Sequence, residues 1–171
     1  MKKIMVCMMV ALGTSFVTMA QTDSKFKVSL GPELSFASGA FSNTHSFGIG
    51  GTIQAEVLLQ EHLYGTATFG VISYNGKSNG VGTKNKGQTF LPLRVGVKYF
   101  LAGGIYGAFQ TGVAFLNNGQ GTAFAYSPQL GYEFNTKSGK AVDATFKYDG
   151  YSGAKTLGTV GALGFRLAYI F

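Results

Sequence analysis

The chain has 171 residues, with 26 Gly, 15 Phe, 9 Tyr, 3 Pro, 1 Cys and no Trp, and only 12% of its residues are charged. Soluble domains carry about twice that share of charge and about half that share of Gly, and this length holds one domain. With 46% hydrophobic residues, the composition excludes a coiled coil, a helical bundle and an acidic disordered chain.

Met1-Lys2-Lys3 is a basic start, Ile4 to Val17 is apolar, and Thr18-Met19-Ala20 ends on a small residue before the polar Gln21-Thr22-Asp23. This is the pattern of a secretory leader, expected over residues 1–20 and cleaved after Ala20. The apolar run is too short for a spanning helix, which needs about 20 residues. The lone Cys7 lies inside the leader, so the expected mature chain, 21–171, has no disulfide framework, thiolate-bound zinc or Cys nucleophile. Loss of Lys2 and Lys3 takes the formal charge from +7 to +5.

From Phe26 onward, apolar and polar residues alternate with the period of a strand. The first apolar face runs Phe26, Val28, Leu30, Pro32, Leu34, Phe36, and the second Phe47, Ile49, Gly51, Ile53, Ala55, Val57, Leu59. Further faces follow over Leu63–Val71, Leu91–Tyr99, Ile105–Phe115, Phe124–Phe134, Val142–Tyr148 and Leu157–Phe171. These eight faces hold 47 positions and no charge. The opposite faces carry Lys27, Glu33, Glu56, Arg94, Lys98, Glu133, Asp143, Lys147 and Arg166. Most runs reach the 9–11 residues or so that a tilted strand needs to cross a bilayer.

The polarity selects the kind of barrel. A soluble ligand-binding barrel keeps its apolar side chains inside, whereas a membrane barrel turns them to lipid. It must also close, because lipid cannot satisfy the backbone groups of an open edge. The expectation is an all-β fold: an eight-stranded antiparallel up-and-down transmembrane β-barrel. Phe26, Phe36, Phe47, Tyr99, Phe115, Phe124, Phe134 and Tyr169 near the strand ends read as interfacial girdles. Gln60–His62, Leu101–Gly103 and Asn135–Gly139 read as short periplasmic turns. Ala37–His45, Tyr74–Gly87, Asn117–Gly121 and Gly150–Lys155 read as outer connections.

The C-terminal Gly164-Phe165-Arg166-Leu167-Ala168-Tyr169-Ile170-Phe171 resembles the terminal strand of bacterial outer-membrane barrels. Phe90-Leu91-Pro92-Leu93-Arg94-Val95-Gly96-Val97-Lys98-Tyr99-Phe100 is similar to a mid-barrel strand of the small "porin family" of outer-membrane barrels. The resemblance spans the expected mature chain and is to the class, with its OmpA-, OmpX- and OmpW-like barrel domains, rather than to one member. It implies a bacterial outer-membrane location, and an assembly signal at Phe165, Leu167, Tyr169 and Phe171 read by the barrel-assembly machinery. It also implies contact with outer-membrane lipid and lipopolysaccharide, and a monomer.

Three readings of the chemistry stand beside one another. His45, beside Ser42 and Ser46 and nearest in sequence to Glu33, has the residue types of a deacylase-like site, as some lipid-modifying barrels do. Abundant Ser makes such a neighbour common, so no enzyme, cofactor or metal is expected, and His62 beside Glu61 lacks the three ligands of a metal site. Lys77, Lys84 and Lys86, with no acid between Tyr74 and Gly87, could meet anionic surface lipid. No basic patch interleaved with aromatics points to nucleic acid, and Gly48, Gly50 and Gly51 lie in a strand, not in a dinucleotide loop. The nine inward charges are expected to pair as a lumen polar cluster, Lys27 with Glu56 and Asp143 with Arg166, while Arg94 and Lys98 reach across. A structural or surface-interaction role with a filled polar lumen leads. A narrow passive channel for small solutes comes second and a lipid-modifying enzyme third.

Overall fold

The computed structural model describes residues 25–78, 85–117, 121–135, 140–154 and 158–171. The expected leader lies outside the described residues. Eight strands follow in chain order: β1 (Phe26–Ser38), β2 (His45–Gln60), β3 (Leu63–Gly76), β4 (Gln88–Ala102), β5 (Ile105–Leu116), β6 (Gly121–Asn135), β7 (Ala141–Ala154) and β8 (Gly158–Ile170). Each pairs antiparallel with the next, and β8 pairs back onto β1, so the sheet closes. One short 3-10 helix, η1 (Gly39–Asn43), interrupts the path from β1 to β2.

The strand period sets the facing as expected. Along β1, Leu30, Leu34 and Phe36 are exposed, while Ser29, Glu33 and Ser35 are buried. Around the barrel, Ile49, Phe69, Leu93, Val95, Phe109, Val113, Leu130, Phe146 and Phe165 point outward in the same way. The interior is therefore polar and the outer belt apolar, the reverse of a soluble barrel. Aromatic side chains ring the belt at both margins. Phe36, Phe47, Phe115 and Phe124 stand at the end carrying η1 (the loop end), and Tyr99, Phe134 and Tyr169 at the opposite, turn end.

Beyond the loop-end ring the pattern inverts. Ser73, Asn75, Thr122 and Thr159 are exposed, and the inward positions become apolar: Ile72, Tyr74, Phe90, Leu116, Tyr151 and Val160. The sequence pattern ends the third apolar face at Val71 and assigns Tyr74–Gly87 to an outer connection, whereas β3 runs on to Gly76. The alternation in fact continues with its polarity exchanged.

Two turns show why the turn end is compact. Gly103 and Gly104 both adopt positive φ, 56° and 93°, in the two-residue link between β4 and β5, a geometry that favours Gly at both central positions. His62, in the two-residue link between β2 and β3, is a non-Gly residue in the left-handed region at φ 67°.

Candidate functional site

The lumen is the feature that the fold builds with most chemistry, and it has three levels. At the loop end, η1 drops Phe41 into the barrel mouth, where it is 4% exposed. Its ring meets Tyr74 and Phe90 edge-on, at centroid separations of 5.1 and 6.0 Å, and Phe90 stacks on Tyr151 at 4.6 Å. On its other side Phe41 stacks on His45 at 4.3 Å. His45 Nδ1 lies 2.9 Å from Thr44 Oγ1, and its Nε2 lies 3.2 Å from the Lys86 carbonyl. Burial holds this imidazole below its ordinary pKa, and the Lys86 carbonyl opposes that shift.

Below this aromatic cap lies a first set of ion pairs. Arg94 and Asp149 form a hydrogen-bonded ion pair, both fully buried. Lys147 reaches Glu33 at 2.7 Å and Asp149 at 3.3 Å. Arg166 donates to Thr52 Oγ1 at 2.6 Å and Ser29 Oγ at 2.9 Å, and stands 3.6 Å from Asp143. A neutral ladder crosses the same middle level: Gln110 Nε2 donates to Gln54 Oε1, Thr66 Oγ1 and Thr68 Oγ1 at 3.0, 3.2 and 2.9 Å.

The third level is centred on Lys98. Its Nζ lies 3.1 Å from Glu56 Oε1 and 3.2 Å from both Glu133 Oε2 and Asp143 Oδ2. It also sits 4.0 Å from the centre of the Tyr106 ring, whose hydroxyl donates to Asp143 at 2.9 Å. Tyr106 lies flat over Gly131, where a Cβ would overlap the ring. Toward the turn end, Lys27 donates to Glu133 Oε1 at 2.6 Å. Beyond it the lumen opens into a vestibule of about 460 Å³, with Tyr64, Phe100, Glu61 and His62 among its walls.

All nine charges expected inside are there, and ion pairs join them into two groups: Arg94, Lys147 and Glu33 around Asp149, and Lys27, Glu56, Glu133, Asp143 and Arg166 around Lys98. Lys27 and Glu56 are register partners on β1 and β2, yet they do not form the expected pair. Lys27 crosses to Glu133, and Glu56 goes to Lys98, because each finds a partner across the narrow lumen. Asp143 does meet Arg166, and Arg94 and Lys98 do reach across. Sequence reading missed Asp149, whose inward parity with Asp143 and Lys147 was the available signal. With it the lumen holds, among the described residues, five acids, Glu33, Glu56, Glu133, Asp143 and Asp149, against five cations, Lys27, Arg94, Lys98, Lys147 and Arg166. Phe41 was also missed, since a loop Phe carries no periodic signal.

The deacylase-like arrangement does not form. His45 lies in β2 rather than in a loop, and its nitrogens face Thr44 and a carbonyl. Ser42 Oγ donates to the Gly39 carbonyl, Ser46 Oγ points at the Asn75 carbonyl, and Glu33 is held by Lys147. Among the described residues no group of three or more His, Cys, Asp or Glu could hold a metal.

No protein-family model and no curated protein matches the chain. Solved structures do. Ail, the attachment invasion locus protein of Yersinia pestis, superposes with a TM-score of 0.58 at 13% identity, over 88% of this chain and 100% of Ail. Neisserial surface protein A (NspA) gives 0.58 at 11% identity, over 85% and 95%. The outer membrane protein OprG from Pseudomonas aeruginosa gives 0.54 at 12% identity, over 86% and 95%. At these identities the likeness is one of fold: a closed, eight-stranded, antiparallel up-and-down barrel shared with small outer-membrane barrels.

Proposed function

We propose that the protein is a bacterial outer-membrane β-barrel, exported on a cleaved leader, with a structural or surface-interaction role and a lumen filled by its own side chains. The observation that carries this reading is the exchange of polarity along single strands. Between the aromatic rings the outside is apolar and the inside charged. Beyond the loop-end ring the outside is polar and the inside mostly apolar and aromatic, with Gln88 and His45 buried among those side chains. A barrel immersed wholly in water has no reason for such a switch, and one crossing a bilayer and projecting beyond it does. Strands of 12 to 16 residues are long enough to do both.

The interaction partner is proposed to be anionic surface lipid such as lipopolysaccharide. The connections at the loop end carry Lys77, Lys84, Lys86 and Lys155 and no acid, which favours anionic surfaces. The channel reading is weaker, because ion pairs and the Phe41 cap fill successive levels of the lumen. The test is membrane fractionation followed by gel electrophoresis of heated and unheated samples. The mature protein is expected in the outer-membrane fraction, with a mobility that heating changes. Recovery in a soluble fraction, or equal mobility in both samples, would count against the proposal.

A further inference from the structure

The vestibule at the turn end combines a volume of about 460 Å³ with a particular chemistry. Tyr64 and Phe100 form one wall, their rings edge-to-face at 5.5 Å. The Lys27 ammonium lies 5.1 Å from the Tyr64 centroid and 5.6 Å from that of Phe100. Glu133 closes the site, with Oε1 on Lys27 and Oε2 on Lys98. Phe100 thus has two ammonium groups near its ring, since Lys98 Nζ is 5.1 Å from the same centroid. Aromatic faces and a carboxylate together are a receptor for a desolvated cation.

Inside this half three carboxylates, Glu56, Glu133 and Asp143, meet three cations, Lys27, Lys98 and Arg166, so Lys27 is the counterion that an incoming ammonium would replace. Lys27 is also the least confined of the lumen cations. Its side chain is 25% exposed, against 1 to 4% for Lys98, Lys147 and Arg166. It is anchored at the second residue of β1, at the margin of the barrel.

We infer that the turn-end mouth is a binding site for primary ammonium groups, occupied at rest by the chain's own Lys27 and open to an external primary amine that displaces it. The incoming ammonium takes the Glu133 oxygen, and its alkyl stem lies along Tyr64 and Phe100. The vestibule has room for the remainder of the ligand beyond that stem. The ligand class is an amine of lysine side-chain or polyamine type. Lys27 competes as a tethered group, at an effective concentration on the order of millimolar or more, so the wild type binds such amines weakly.

The experiment compares wild type, Lys27→Ala and Lys27→Ala/Glu133→Gln in detergent, titrated with propylammonium chloride and, as control, tetramethylammonium chloride. Thermal unfolding is followed by circular dichroism. In Lys27→Ala, propylammonium is expected to raise the melting temperature saturably, at least ten-fold lower in concentration than in wild type. The double variant and tetramethylammonium, which has no N–H to donate, are expected to give no saturable shift. If Lys27→Ala folds poorly, refolding yield with and without propylammonium replaces melting, and rescue is expected. A Lys27→Ala response that is absent, unchanged by Glu133→Gln or matched by tetramethylammonium overturns the inference, as does refolding that propylammonium leaves unaltered.

Discussion

Asp149 and Arg94 are each other's charge partner at a depth where water does not reach. Asp149→Asn leaves the guanidinium buried with its countercharge removed, and the expected loss is about 3–5 kcal/mol. Arg94→Met with Asp149→Leu removes both charges, and Lys147 keeps Glu33 at 2.7 Å, so the double variant is expected to be much closer to wild type. Urea unfolding from lipid vesicles, read by gel mobility, gives both values. His45 offers a second residue-scale test. It stacks on Phe41 of η1, and its burial there is what disfavours an imidazolium. Because its pKa is lowered in the fold from 6.5, the unfolded cap binds more protons near that pH. The cap's stability is therefore complete above about pH 6.5 and falls as the pH drops below it. Amide exchange at Thr44 and Lys77, both bonded across this segment, is expected to quicken on acidification, and His45→Gln to flatten the response.

Each strand carries its own record of where the apolar outer belt begins and ends. Arg at Val95, in the middle of the outward belt of β4, is expected to cost about 2–4 kcal/mol, whereas Arg at Leu101, past the Tyr99 ring, is expected to cost about 0–1. Equal costs in a vesicle unfolding assay would argue against a bilayer around this belt. Within the barrel, Gly131 makes room for Tyr106, and Gly131→Ala is expected to cost roughly 1–3 kcal/mol in the same assay, by pushing that ring off Lys98 and Asp143. Strand existence and facing were legible because a period of two over long runs leaves few alternatives. The inward charges were legible for the same reason. Their partners were not, since Lys27 chooses Glu133 over its neighbour Glu56 across a lumen whose width the sequence does not encode. The upper ends of the strands were hidden by the exchange of polarity at Ile72 and Tyr74, which reads as a break in the pattern when only one phase is followed. Gln110 belongs to the same class of surprise. Its polar parity suggests a tolerant inward site, but its bonds to Gln54, Thr66 and Thr68 make it a packed one.

Across the whole molecule, blockage occurs in series, and that sets what bilayer recordings should report. Wild type is expected to show no large, stable conductance steps, as is Phe41→Gly, because the levels of Arg94 and Lys98 remain filled. Combining Phe41→Gly with Arg94→Ser and Asp149→Ser is expected to give none either, because Lys98 with Glu56, Glu133 and Asp143 still fills the level nearer the turn end, and steps of porin size from wild type would overturn the filled-lumen reading. The closing seam has a consequence of a different kind, in time rather than in space. Glu33 on β1 lies opposite Arg166 on β8, and Arg166 bonds Ser29 from 137 residues away along the chain. One edge of β1 therefore waits, with its amides and carbonyls unmet, until the final strand arrives. In hydrocarbon such waiting is costly for every exposed group. For a barrel that inserts into a bilayer, partial forms are therefore expected to be scarce, and the slow event is expected to be the meeting of the first strand with the last. Anything that lends β1 a temporary edge shortens that wait without altering the finished barrel.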